Sequence, residues 1–137
     1  HMIDLNRANF VIQKRAIPTS EWLTKARAAG QHDRAADFLK DLFTLVVHRR
    51  RLGYNDKDPH LIRNFGYLDG KAVEIDIGGF YIDRKKDERY FIKYELPKIS
   101  QKLLPWLRSN YPELTTVAKR ILVEINDKGV DWEPNLS

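Results

Sequence analysis

Apolar residues recur at helical spacing in two long stretches of the chain, and these set the frame of the fold. Ala35, Phe38, Leu39, Leu42, Leu45 and Val46 follow the i, i+3, i+4 rule, which predicts an amphipathic helix capped by Asp33, reaching Leu52 and stopped by Gly53. Leu114, Val117, Ala118, Ile121, Leu122 and Ile125 repeat the pattern behind Pro112 and Glu113, and predict a second core-packing helix. A shorter helix is expected from Glu21 to Ala29, opened by Thr19-Ser20-Glu21 and closed at Gly30. Ahead of it, residues 8–15 hold the strand-like run Phe10-Val11-Ile12, which Pro18 ends.

Between the long helices the pattern changes. After Gly53 the polar run Asn55, Asp56, Lys57, Asp58 and Pro59 predicts a loop leaving the helix. Asp69-Gly70 is the strongest hairpin signal, because a two-residue primed turn needs positive φ; the arms are expected at Phe65–Leu68 and Lys71–Ile77. Gly78-Gly79 admits backbone conformations closed to residues with a β-carbon. From Asp87 the reading is mainly helical, with Tyr90, Phe91 and Ile92 equally compatible with a short strand. Pro97 fits a first helical turn, whereas Pro105 would clash with the carbonyl of Gln101, so a helix over 97–109 must kink or restart. Residues 127–137 form a polar tail with Trp132 as an anchor, and Trp22 and Trp106 read as core or interface residues. The expected class is α+β, dominated by helices, with a short hairpin carrying a polar site on one face.

Composition narrows the setting. A length of 137 residues suits one domain, and 42% hydrophobic with 31% charged residues is a globular mixture. No apolar run is long enough to span a membrane, no secretory signal is visible, and His1-Met2 reads as a remnant of cloning. The lack of cysteine excludes a disulfide framework, a thiolate zinc site and a cysteine nucleophile, and makes a cytoplasmic location the default. A net charge of +5 favours phosphate-bearing or acidic partners. The basic cluster His48-Arg49-Arg50-Arg51 reads first as a helix end complementing the helix dipole.

The candidate chemistry lies in residues 56–80, where two carboxylates, Asp58 and Asp76, flank the hairpin. Asp58 leads a polar loop ending at Asn64, and the strand Ala72-Val73-Glu74-Ile75 delivers Asp76-Ile77-Gly78. This layout resembles the catalytic loop, hairpin and metal-binding Asp-x-Gly of protein-kinase-like phosphotransferases, particularly the divergent bacterial small-molecule and lipopolysaccharide-kinase branch. The resemblance covers residues 9–80. It likens Phe10–Lys14 to the last strand of a small lobe, Ala16–Thr19 to the hinge and Asp33–Leu52 to the central helix of the large lobe. It implies a strand and hinge-like segment over 3–19 and a large-lobe domain over 20–126. Asp58 would then accept the proton of a substrate hydroxyl, and Asp76 would bind Mg²⁺, a hard cation that prefers oxygen ligands. Asn64 would assist the second metal and, with Arg63, contact ATP.

Several positions depart from the family pattern. Asn64 stands one residue further from Asp58 than usual, with Arg63 at the usual position, and Ile77 replaces the more common aromatic residue. Glu74 shares a strand face with Asp76 and is expected to meet solvent or a basic partner. No Gly-x-Gly-x-x-Gly loop and no strand lysine precede the hinge, so the small lobe is missing from these residues. Phosphoryl transfer depends chiefly on positioning and charge stabilisation, which predicts an inactive half-site without that lobe. The alternative is a catalytically silent, pseudokinase-like protein-interaction domain. Expected partners are the missing lobe or another protein, a phosphate-bearing ligand, and a second copy docking through the unpaired edge at residues 8–18, but no membrane.

Three competing motifs carry less. Gly66 to Lys71 has a superficial P-loop look but ends in Ala72 and sits in a hairpin. Glu74-x-Asp76 lacks the adjacent lysine of a metal-dependent nuclease. His60 reads as a locally bonded loop residue more readily than as a base, and Arg63 as a partner of Asp58 or Asp76 more readily than as a phosphate contact.

Overall fold

The computed structural model describes residues 16–56, 60–75, 80–82 and 88–130. The Phe10–Ile12 run, most of the 8–18 edge, Asp58, Asp76, Gly78-Gly79 and Trp132 lie outside the described residues. Within them the fold is α+β and mostly helical. A short strand, β1 (Ile17–Pro18), leads into α1 (Thr19–Ala28) and the long α2 (His32–Arg51). Four strands follow: β2 (Tyr54–Asp56), β3 (Phe65–Leu68), β4 (Lys71–Glu74) and β5 (Phe80–Ile82). The chain ends in helices α3 (Glu88–Tyr90), α4 (Leu96–Ser100), α5 (Leu103–Asn110) and α6 (Glu113–Lys128), with a π-helical segment, Phe91–Glu95, joining α3 to α4.

Helix α2 is the centre of the core. Leu39, Leu42, Phe43, Val46 and Val47 are fully buried, as the 3.6-residue period requires, and α1, the hairpin and α6 pack around them. Asp33 does not cap this helix: Gln31 takes that position and Asp33 is the second residue of the first turn, where a carboxylate complements the dipole. Helix α6 buries Leu114, Ala118 and Ile125 and packs Val117, Ile121 and Leu122 partly against the core. It extends through Asp127 to Lys128.

Pro105 behaves as its chemistry dictates. Helix α4 stops at Ser100 and α5 restarts at Leu103, which puts Pro105 in a first turn whose N–H groups need no helical partner. Pro97 accounts for the π-helical segment before it. An α-helix would direct the missing Pro97 N–H to the Lys93 carbonyl and press the ring against it, and a widened turn relieves both faults. Helical bonding also decides Tyr90, Phe91 and Ile92, of which Phe91 and Ile92 are buried.

The sheet β1-β3-β4 is antiparallel, with Phe65 opposite Glu74, Gly66 opposite Val73, Tyr67 opposite Ala72 and Leu68 opposite Lys71. Asp69 and Gly70 both adopt positive φ, 51° and 85°, the primed turn read from their identity. The second arm ends at Glu74, short of Ile77. Two further corrections concern strands. Ile17 and Pro18 add an edge strand to β3, a position that tolerates proline because one side of an edge strand makes no ladder bonds. Residues 54–56, read as loop, pair with Phe80–Ile82 as a separate two-stranded ladder. Asn and Asp are weak strand formers, and here an aromatic and β-branched partner distant in sequence supplies the preference.

Gly66 is required by close approach. A β-carbon there would lie 2.4 Å from the Ile17 carbonyl oxygen and 2.8 Å from Ile75 Cδ1. The first is backbone and cannot swing aside. Gly66→Ala should therefore lower stability by about 1–3 kcal/mol, the usual range for overpacking. Urea unfolding would check it, and an unchanged midpoint would show that β1 is free to move off β3.

Candidate functional site

The site is framed by a tight turn and two strand junctions. In the turn 60–64, the His60 carbonyl accepts hydrogen bonds from the N–H groups of Arg63 (3.2 Å) and Asn64 (2.8 Å), while Leu61 is buried beneath. The Asn64 carbonyl then accepts the Ile75 N–H at 2.7 Å, which carries the hairpin one rung past Phe65 and Glu74. Asp56 stands opposite Phe80 in the ladder of β2 and β5. The described residues that flank 57–59 and 76–79 thus meet on one frame. They are Asp56 and His60 for the first segment, Ile75 and Phe80 for the second.

The two candidate carboxylates, Asp58 and Asp76, lie outside the described residues, inside those segments. Asn64 is partly buried at the frame's junction, where its backbone closes the hairpin. Arg63 lies in the same turn with an exposed side chain, and His60 is partly buried with its carbonyl holding the turn together. Arg63 and Asn64 thus lead directly into the first arm of the hairpin.

Of the two environments expected for Glu74, solvent or a basic partner, the structure shows the second, and the partner is a buried one, Arg49. Its two carboxylate oxygens lie 2.6 and 2.7 Å from Arg49 Nη1, and both side chains are less than a tenth exposed. The Arg49 guanidinium also stands 5.7 Å from the Phe65 ring centroid. Two other contacts tie the hairpin down: Asp41 Oδ2 accepts the Ala72 N–H at 2.6 Å, and the buried Thr19 hydroxyl donates to the Phe65 carbonyl at 2.9 Å. Arg49 was legible in principle, since it falls three residues beyond Val46 on the apolar stripe of α2. Asp41 and Thr19 bond to main-chain groups and leave no such pattern.

The basic cluster is turned largely inward. Arg49 and Arg50 are buried, and Arg51 pairs with Glu88 at 2.7 Å to join the end of α2 to α3. Burial, then the neighbouring Arg51 charge, holds the His48 imidazole below its ordinary value of 6.5. As pH falls the unfolded chain therefore takes up this proton before the folded one does. The His48 contribution is fully present above 6.5 and declines as pH drops from there through the folded-state value. Urea midpoints followed downward from neutral pH should fall less steeply for His48→Gln than for the wild type, and parallel curves would count against this assignment.

Among the described residues no three His, Asp or Glu side chains converge as a metal site. The Glu74 carboxylate is taken up by Arg49. No helix among the described residues is long and apolar enough to cross a membrane. No protein family, curated protein or solved structure matches the chain.

Proposed function

We propose that this chain carries the metal and phosphate half of a kinase-like phosphotransferase site. The observation that supports it most is that described residues flanking both acid-bearing segments meet: Asp56 pairs with Phe80, and the Asn64 carbonyl accepts the Ile75 N–H while the Asn64 N–H donates to the His60 carbonyl. In this reading Asp58 accepts the proton of an acceptor hydroxyl, and Asp76 with Asn64 offers oxygen ligands to Mg²⁺ beside ATP. The metal supplies charge neutralisation at the phosphates. Arg63, exposed on the turn, would contact a phosphate of the nucleotide through its guanidinium fork. Turnover requires the glycine-rich, lysine-bearing lobe that these residues do not include, and an unpaired strand edge over residues 8–18 would receive that lobe or a second copy.

Calorimetric titration of ATP with and without Mg²⁺ tests the reading. Binding should depend on Mg²⁺ and weaken at least roughly tenfold in Asp76→Ala, about the loss of one charge-assisted contact. Absence of nucleotide binding under both conditions would leave the catalytically silent interaction domain as the better account.

A further inference from the structure

We infer that the outward face of residues 88–102 is a binding surface for single-stranded nucleic acid, with Tyr90 and Tyr94 as stacking platforms and Arg89, Lys93, Lys98 and Lys102 on the phosphates. The stretch is one continuous helical run, α3, the π-helical segment and α4, followed by the turn into α5. Its exposed residues come in adjacent pairs every four positions: Arg89 and Tyr90, Lys93 and Tyr94, Pro97 and Lys98, Gln101 and Lys102. Phe91, Ile92, Leu96 and Ser100 are buried between them. In an α-helix a four-residue repeat drifts aside by about 40° each time, at 100° per residue. The wider π turn ahead of Pro97 takes up more residues and offsets that drift, so the pairs share a face.

Every fully exposed charge in the stretch is a cation. Its two acids are turned aside: Glu88 pairs with Arg51 at 2.7 Å, and Glu95 is half-buried with Oε2 shielded from solvent. Tyr90 and Tyr94 are 44% and 50% exposed, with ring centroids 4.9 Å apart and planes at 45°. Lys93 Nζ stands 5.5 Å from the Tyr94 centroid, so an aromatic face and a cation are offered side by side, as a base and its phosphate require. Arg89 donates to the Asn126 carbonyl at 3.1 Å, which ties the guanidinium to α6 and leaves its charge on the surface. Other anionic partners fit this face less well. An anionic membrane needs apolar side chains on the outer face, and here Phe91, Ile92 and Leu96 point into the core. An acidic peptide needs a groove, and the hollow beside this face, lined by Ile92, Leu96, Pro97, Leu122 and Asn126, holds about 100 Å³.

The test is fluorescence anisotropy of a labelled oligothymidine of about 12 nucleotides, within the usual site size, with the whole chain at several salt concentrations. Log affinity should fall against log salt with a slope of about −2 to −3, as for three or four phosphates neutralised on a single strand. Tyr94→Ala should weaken binding roughly 5–150-fold at unchanged slope, the loss of one stacked base, while Tyr94→Phe keeps most of the affinity. Lys93→Gln should flatten the slope by about 0.7, one phosphate, and Lys25→Gln, the same change on α1, should leave affinity and slope as they were. No binding of the oligonucleotide overturns the proposal. So does wild-type affinity in Tyr94→Ala, which would reduce the face to a general attraction for polyanions. Tighter binding of polyglutamate or of phosphatidylserine vesicles overturns it in favour of a protein or a membrane.

Discussion

Tyr111→Ala should cost about 3–5 kcal/mol, the range for removing a large aromatic from a packed interior. Tyr111 is fully buried between α5 and α6, where its N–H caps Leu107 and its carbonyl accepts the Leu114 N–H. Its hydroxyl lies 2.5 Å from His32 Nδ1, on the first turn of α2, and Arg27 stands 5.8 Å from its ring. Arg27 also binds the Asn110 carbonyl at 3.2 Å and Glu113 at 3.0 Å. One side chain therefore joins the corner between α1 and α2 to the corner between α5 and α6. Burial, and next the Glu113 charge, raises the phenol above its ordinary value, so it stays neutral beside His32. Tyr111→Phe keeps the ring and loses only the bond to His32, at about 1 kcal/mol. Thermal unfolding of the two variants separates the contributions, and equal losses would mean that the hydrogen bond outweighs the ring.

This junction shows where sequence reading runs out. Tyr111 stands alone between Asn110 and Pro112, with no periodic neighbours, and local rules read the three as a connector. The α2 stripe was legible because one face of a helix must be apolar for its whole length, and the hairpin was legible because Asp69-Gly70 is a local conformational demand. The ladder of β2 and β5 was not, since Asp56 acquires strand geometry from Phe80, far along the chain. The same limit applies to the candidate site. Asn64 and the hairpin follow from turn chemistry, but the Asn64–Ile75 bond and the Arg49–Glu74 pair are products of tertiary packing. Charged residues on an apolar stripe are the one visible trace of such pairs, and Arg49 is such a residue.

Arg49→Met alone should be the most damaging change near the site, at about 3–5 kcal/mol, because it removes the guanidinium paired with the buried Glu74 carboxylate. A domain of ordinary stability has roughly 5–15 kcal/mol in total, so the melting temperature should fall on the order of 10–20 °C. The neighbouring Arg51 gives an internal control. Its pair with Glu88 has a similar distance, 2.7 Å, but the two side chains are 30% and 29% exposed, against 6% and 8% for Arg49 and Glu74. Water screens the first and not the second, so Arg51→Met should cost under about 1 kcal/mol. Two arginines in one helical turn, each bonded to a glutamate, should thus differ several-fold in effect for reasons of burial alone. Chemical unfolding of the two single variants measures that ratio, and near-equal losses would show that Glu74 reaches solvent or takes up a proton once Arg49 is gone.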